Sequence, residues 1–355
     1  MREAFSQSYF AAREKFLRIA QEVGAAVKSY ANPAPGPGGA QLTCDVARLG
    51  KADARRWLIA VSATHGAEGF VGSAAQIAWM RQRHQLPDGV GVLLVHAINP
   101  YGFAWLRRVN EDNVDINRNH IDHDKPHPAN PVYVELADLL VPKDWFGPGR
   151  AASEAALGDY MAHHGAGALA AAISGQYEVA DGIFYGGRRP VWSNRTLQAA
   201  AAEFAGSAEL VAYVDFHTGL GPYGIGEAIC YHAPGDPAYA FALAAYGAGI
   251  TTPHLGTSSS PMNKGKTGYG VQMALPHSVV SCITLEFGTY DHDFVFGSIR
   301  ADAWLAKYGR WDWPEAALIK ADIRRAFYPD QDDWRDMVSA RSAEILGQAL
   351  RQLGA

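Results

Sequence analysis

Apolar residues in this chain fall into short unbroken runs, separated by longer stretches that repeat with a helical period. The runs at 41–48, 56–63 (RWLIAVSA), 91–97 (GVLLVHA), 210–216 (LVAYVDF), 227–232 (EAICYH) and 279–285 (VVSCITL) have the length of strands. Their apolarity is continuous rather than alternating, which predicts strands covered on both faces of a sheet. Ahead of them Phe5, Tyr9, Ala12, Phe16, Ile19, Val23 and Val27 recur at helical spacing and predict an amphipathic helix over 3–29. The segment NPAPGPGG (32–39) ends it as a loop. Ala-rich stretches at 72–83, 153–172, 195–206 and 236–249 predict further helices, and a charged helix over 332–353 follows. Strands alternating with helices indicate an α/β/α layered architecture with a largely parallel or mixed sheet. No repeat, low-complexity tract or linker divides the chain, so 1–355 is expected to form a single domain.

Composition narrows the class. A formal net charge of −5, with 48% apolar and 19% charged residues, suits a large buried core. It gives no reason to expect nucleic acid or an anionic membrane as partner. No stretch approaches the ~20 apolar residues of a membrane span. The first twenty residues carry charges throughout, unlike the apolar core of a signal peptide. Cys44, Cys230 and Cys282 are far apart with no C-x-x-C spacing, which excludes a disulfide framework and fits a reducing, cytoplasmic setting; Cys230 and Cys282, in apolar runs, are expected to be buried.

Polar residues gather where the apolar runs end. WLIAVSA is followed by Thr64-His65-Gly66-Ala67-Glu68-Gly69, LVAYVDF by His217-Thr218-Gly219, and VVSCITL by Glu286-Phe287-Gly288. Ligand sites in open α/β sheets lie at the carboxyl ends of strands. His65 and Glu68, three apart in a turn eased by Gly66 and Gly69, can converge on one ion. A distant His217 completes a His₂Glu set, a known catalytic zinc arrangement that leaves room for water. Glu286 is then the candidate general base. A second block, from Asn99-Pro100-Tyr101-Gly102-Phe103 through Arg107-Arg108 to Asp115-Ile116-Asn117-Arg118-Asn119, offers planar donors suited to a substrate carboxylate. Asp115 can fix the tautomer of a ligating histidine. His120, His123 and His127, with Asp122 and Asp124, lie in a Pro-rich loop with no strand before it and are expected to be solvated surface. The segment 174–187, with Tyr177, Tyr185 and the Gly186-Gly187 turn, reads equally as a pocket lining or as a packed turn. There is no G-x-S-x-G elbow, H-E-x-x-H helix or Walker loop.

Taken together, H-G-A-E-G after a strand, N-P-Y-G-F, V-D-I-N-R-N, D-F-H-T-G-L-G and T-L-E-F-G-T-Y resemble the zinc carboxypeptidase (carboxypeptidase A-like) superfamily. R-R-V-N-E-D-N-V-D-I-N-R-N brings the likeness closest to a little-characterised bacterial branch of unknown function. The resemblance implies an α/β/α sandwich around a mixed, mainly eight-stranded sheet. It implies one zinc per chain on His65, Glu68 and His217, with Glu286 catalytic and Asp115 supporting the first histidine. Asn117 and Arg118 match the pair that grips the terminal carboxylate. Arg107 or Arg108, with Arg108 favoured, matches the arginine that polarises the scissile carbonyl. Tyr269, in K-T-G-Y-G, is the nearest match to a mobile substrate-covering tyrosine. The implied reaction is hydrolysis of an amide bond next to a free carboxylate, on a small peptide or an N-acyl amino acid. The latter would follow the succinylglutamate desuccinylase and aspartoacylase branch. A zinc-binding protein without catalysis is the alternative from another class. Oligomeric state is open.

Overall fold

Successive side chains of a strand point to opposite faces, so a strand with no polar face has to be covered twice. The computed structural model, which describes residues 2–355, meets this with a mixed sheet held between two layers of helices. Among the described residues the strands are β1 (Ala26–Ala31), β2 (Thr43–Leu49), β3 (Arg56–Val61), β4 (Val90–His96), β5 (Leu210–Tyr223), β6 (Gly226–Cys230) and β7 (Val279–Gly288). Their order in space is β1-β2-β4-β3-β5-β7-β6. β4, β3, β5 and β7 run parallel, while β1 with β2 at one edge and β6 at the other pair antiparallel. The sandwich is as expected, with seven strands in place of eight among the described residues. Outside β6 the chain makes only an isolated bridge from Ile229 to Thr251, too little for a further strand.

The continuous apolar runs have a simple cause. Leu58 and Ala60 of β3 face a layer that contains Phe16, Ile77, Trp334 and Leu346. Trp57, Ile59 and Val61 face the opposite layer, with Leu197, Ala200 and Val271. The first layer is built by helices Tyr9–Glu22, Gly69–Arg81, Pro237–Tyr246 and Asp332–Gly354, the second by Trp192–Ala205 and Thr267–Ala274. A third apolar cluster joins helices Pro131–Leu140, Pro148–His164, His292–Tyr308 and Pro314–Phe327 to Ala67 in the loop after β3. Among the described residues, no helix is long and apolar enough to cross a membrane. Cys44, Cys230 and Cys282 are free and buried, Cys230 and Cys282 as expected.

Several boundaries differ from those the pattern predicts. The first helix starts at Tyr9, capped by the Ser8 hydroxyl, and stops at Glu22. Gly24 follows at φ +70°, and 26–31 then becomes the edge strand β1. Val27 thus continues the helical spacing by coincidence, and it is 41% exposed. The predicted helix over 153–172 is broken at Gly165, φ +85°, into Pro148–His164 and Ala166–Ala172. β5 and β7 run past the ends of their apolar runs, so His217 and Glu286 lie inside paired strands rather than after them.

The loop after β3 is pressed against the Asn99–Phe103 block. Asn99 accepts the Gly102 N–H at 2.8 Å, and the Gly66 and Ala67 N–H groups donate to the carbonyls of Arg108 and Arg107 at 3.2 and 2.9 Å. A β-carbon on Gly66 would sit 1.9 Å from the Gly102 carbonyl carbon and 2.2 Å from the Phe103 nitrogen. Both are backbone atoms and cannot swing aside. Gly66→Ala should therefore destabilise the fold by about 3 kcal/mol or more, read as a lower denaturation midpoint at unchanged m-value. A midpoint like that of the parent would show that the two loops can separate freely.

Candidate functional site

Parallel strands deliver their carboxyl ends to one edge of the sheet, and three neighbours supply the site there. His65 and Glu68 lie in the turn after β3, where a single 3₁₀ turn, Gly66–Glu68, folds the glutamate back towards the histidine. His217 lies in β5, and its register partner in β7 is Glu286. Side-chain atoms of His65, Glu68 and His217 converge, and all three residues are buried. His65 Nδ1 is 2.8 Å from Glu68 Oε1, His217 Nδ1 is 2.9 Å from Glu68 Oε2, and the two Nδ1 atoms are 3.1 Å apart.

Each imidazole has a carboxylate at its far nitrogen. His65 Nε2 is 3.0 Å from Asp115 Oδ1, and His217 Nε2 is 3.0 Å from Asp215 Oδ2, the latter out of line for a good hydrogen bond. Protons held at both Nε2 atoms leave two Nδ1 lone pairs facing one another across the Glu68 carboxylate. That arrangement is repulsive unless a cation stands between them. A tetrahedral ion bound at ~2.0–2.1 Å separates its ligand atoms by roughly 3.4 Å, close to the spacings here. The three residues therefore fit a metal ion, and among the described residues this is the one cluster that does.

The electrostatics agree. Burial alone would raise the Glu68 carboxyl, but the His65 and His217 rings and their hydrogen bonds hold it well below the usual carboxylate range. Burial opposes charge on His217 too, yet Asp215 and Glu68 raise it to about 10. The cluster attracts positive charge, as a proton or as a metal ion. Glu286 behaves in the opposite way. Burial first, and then the Glu68 charge, push its carboxyl up to about 7, against the pull of His217 and of an N–H from Leu220 at 3.1 Å.

These groups line a cavity of about 310 Å³ together with Arg108, Asn117 and Arg118. Arg108 donates to Glu68 at 3.1 Å and to Asp115 at 3.2 Å, tying the turn after β3 to the V-D-I-N-R-N block. Asn117 Oδ1 accepts the Thr267 N–H at 3.1 Å. The structure thus gathers His65, Glu68, His217, Glu286, Asp115, Arg108, Asn117 and Arg118 in one place. Arg107 is the exception in the arginine pair: it turns away to Asp302, 3.2 Å distant, and to Asn113. Tyr269 does not line this cavity either. Its helix, Thr267–Ala274, carries it into a small neighbouring void beside Tyr213 and Cys282.

Other expectations resolve as follows. His120 is buried rather than solvated, with its backbone N–H on the Gly265 carbonyl at 3.0 Å. His123 Nδ1 lies 3.1 Å from His127 Nε2, and neither belongs to a metal-competent group. Tyr177 donates its hydroxyl to the Arg118 carbonyl at 2.6 Å and Tyr185 packs in the second layer, so both are structural. Phe184, which immediately precedes Tyr185 in the chain, does line the cavity, with the Arg108 guanidinium 5.2 Å above its ring. His292, at the start of its helix, also reaches the rim.

Three residues of the site escaped the sequence. Asp215 accepts the hydroxyls of Thr64 and Thr267 at 2.7 and 2.6 Å while facing His217. Its spacing, Asp-x-His within a strand, places both side chains on one face and was a usable signal. Lys266 and Tyr231 also line the cavity. Lys266 precedes Thr267, whose N–H holds Asn117, whereas nothing in the local pattern singles out Tyr231.

Among known proteins, no curated sequence matches this chain. Several solved structures resemble it distantly. A succinylglutamate desuccinylase from Chromobacterium violaceum is 15% identical, with a TM-score of 0.36 over 89% of this chain and 74% of its own. A glutaminyl cyclase from Fimbriiglobus ruber is 11% identical, with a TM-score of 0.41 over 96% and 86%. Thrombin activatable fibrinolysis inhibitor is 11% identical, with a TM-score of 0.44 over 97% and 74%. A family profile described as "Protein of unknown function (DUF2817)" matches residues 5–341. With nearly its whole length matched, the chain belongs to the DUF2817 family, the kind of uncharacterised branch its motifs had indicated.

Proposed function

We propose that the protein is a zinc-dependent hydrolase that cleaves an amide bond adjacent to a free carboxylate. One juxtaposition supports this above all. Glu286, a buried carboxyl raised to about 7, faces the same cavity as the three converging ligand atoms of His65, Glu68 and His217. A structural zinc site usually takes four protein ligands and has no use for a basic carboxylate beside it. Zinc held by the three residues would supply Lewis acidity towards a carbonyl and a water molecule.

The chain's own groups account for the rest. Glu286 takes the proton of the attacking water and returns it to the departing nitrogen. Arg108 has five N–H groups, and those not spent on Glu68 and Asp115 are free to bind the developing oxyanion. Asn117 and Arg118 anchor the carboxylate and so select the bond presented. Asp115 and Asp215 keep the two imidazoles in the tautomer that turns Nδ1 inward. The cavity volume of about 310 Å³ favours a short substrate, a dipeptide or an N-acyl amino acid.

The reaction class is tested with zinc-loaded protein and a panel of short peptides, their C-terminal amides and N-acyl amino acids, with and without chelator. Release of free amino acid only from members with a free carboxylate, abolished by chelator and restored by zinc, is expected. Release from the amides as readily would overturn the role of the carboxylate.

Glu286→Gln should keep zinc at full stoichiometry and lower kcat by about a thousandfold; substantial residual turnover would remove it from the chemistry. Asp115→Asn should weaken metal affinity by about 10- to 100-fold, measured by competition with a chromophoric chelator, and unchanged affinity would refute its support of His65. The ionised form of Glu286 is the active one, so kcat/KM should rise with pH through its ionisation. A bound dication favours the carboxylate and places that midpoint below the value of about 7 set by burial and Glu68. A profile flat through the acid and neutral range would contradict this.

A further inference from the structure

A helix that borders a core buries the apolar residues recurring at i, i+3, i+4 and i+7. In helix His292–Tyr308 the first such set is His292, Val295, Phe296 and Ile299, and all four line the cavity that holds Glu286. Phe184 and Phe327 line it too, and with Val295 and Ile299 they belong to the third apolar cluster. One wall of the cavity is thus the uncovered face of a hydrophobic core. This wall adjoins the reacting groups. A β-carbon on Gly219, two residues after His217, would lie 2.9 Å from the Phe327 ring and 3.5 Å from Val295. The Thr218 hydroxyl donates to the Phe327 carbonyl at 2.7 Å, and the Arg108 guanidinium stands 5.2 Å from the centre of the Phe184 ring.

The polar part of the lining attaches to the other side of the ligand set. Asp115, which faces His65 at 3.0 Å, also accepts the Asn117 N–H at 3.0 Å, and Asn117 in turn accepts the Thr267 N–H. His65 therefore leads to the polar block, and His217, through Thr218 and Gly219, to the apolar wall, with the converging ligand atoms between them. In the hydrolase reading the free carboxylate goes to Asn117 and Arg118. The acyl group, across the scissile bond, then falls on the wall of Phe184, Val295, Ile299 and Phe327. Those side chains return neither charge nor a hydrogen bond to a polar group taken out of water. Arg108, beside Phe184, is already bound to Glu68 and Asp115, and His292 at the rim lies 3.7 Å from the Asp293 carboxylate.

We propose that the acyl group of the substrate is a hydrocarbon, aliphatic or aromatic, so that the protein removes apolar acyl chains from N-acyl amino acids. The proposal rests on the hydrolase reading above and names its substrate class. Val295, Phe296 and Ile299 are thereby specificity-determining residues. A succinyl group would bring an uncompensated carboxylate to the wall, and an acetyl group would leave most of it uncovered. Hydrolysis consumes one water: its oxygen joins the acyl carbon, the amide C–N bond breaks, and a proton passes to the departing nitrogen. The products are an apolar carboxylate and a free amino acid.

The test uses zinc-loaded protein and N-acyl derivatives of alanine, phenylalanine and glutamate, so that any preference for the leaving amino acid divides out. Within each series, acetyl, butanoyl and hexanoyl compounds vary the apolar length. The 4-methylpentanoyl and succinyl compounds match in shape and differ by one charge. Turnover is measured with wild type, and calorimetric binding separately with the zinc-loaded Glu286→Gln variant. kcat/KM should rise about fourfold per methylene, and the 4-methylpentanoyl compound should exceed the succinyl one by about 100-fold. Ile299→Ala should flatten the length dependence. Phe296→Lys, at a half-buried position, should shift the ratio towards the succinyl compound, with thermal melts checking that each variant folds. The inference is overturned if turnover is indifferent to length, if the succinyl compound is handled as well, or if Ile299→Ala lowers all members equally. Hydrolysis with any of these patterns spares the hydrolase reading. Binding that follows length and charge as expected, without hydrolysis by wild type, sinks that reading and keeps the apolar acyl subsite. Neither binding nor hydrolysis removes both.

Discussion

Four carboxylates, those of Glu68, Asp115, Asp215 and Glu286, are buried at one edge of the sheet, and the need to compensate them governs the rest of the site. Removing an ionised carboxylate from water costs several kcal/mol unless charge and hydrogen bonds are returned to it. Asp215 receives two threonine hydroxyls, Asp115 receives Arg108 and His65, and Glu68 receives Arg108 and two imidazoles. Glu286 receives a single backbone N–H and is correspondingly the one carboxyl displaced upwards. From identical functional groups the surroundings thus make three carboxylates held ionised and one pushed towards neutrality. The same deficit of positive charge appears on His217, raised to about 10, and it is what a divalent ion between the Nδ1 atoms would satisfy.

Backbone pairing holds this arrangement in register. β3, β5 and β7 are consecutive parallel neighbours, so the turn after β3, His217 and Glu286 arrive side by side without any long loop having to be ordered. The His217–Glu286 pairing is a consequence of strand register, which a one-residue slip would turn to the opposite face. The remaining component, the turn carrying His65 and Glu68, is seated by the close approach of Gly66 to Gly102. Asn99-Pro100-Tyr101-Gly102-Phe103, which reads as part of a substrate-binding block, is in fact the buttress of the metal-competent turn.

The cavity walls come from elements far apart in the chain. Phe184, Val295 and Phe327 belong to the helical cluster outside the two main layers, whereas Lys266 and Tyr231 come from the segments that flank β7 and β6. The KGKTGYG stretch illustrates how this matters. Motif likeness draws attention to Tyr269, yet the helix beginning at Thr267 rotates that ring into a separate void and leaves Lys266 on the cavity. Arg107 and Arg108 diverge in the same way, adjacent in sequence and pointing to different partners.

How much was legible in the chain follows from the range of the forces involved. Apolar runs covered on both faces, the polar residues at their ends and the short His65–Glu68 spacing are local features, and they sufficed for the layered fold, the metal-competent set and Glu286. Local pattern failed where a single backbone torsion intervened, as at Gly24 and Gly165, or where Val27 kept the helical period by coincidence. The sequence by itself determined which residue types meet at the sheet edge, because strand period and parallel order oblige them to. Only the tertiary structure decided which arginine faces the cavity, that Asp215 backs His217, and that Arg118 and Lys266 line one cavity. Those outcomes depend on burial and on distances between segments remote in the chain, and no local periodicity encodes them.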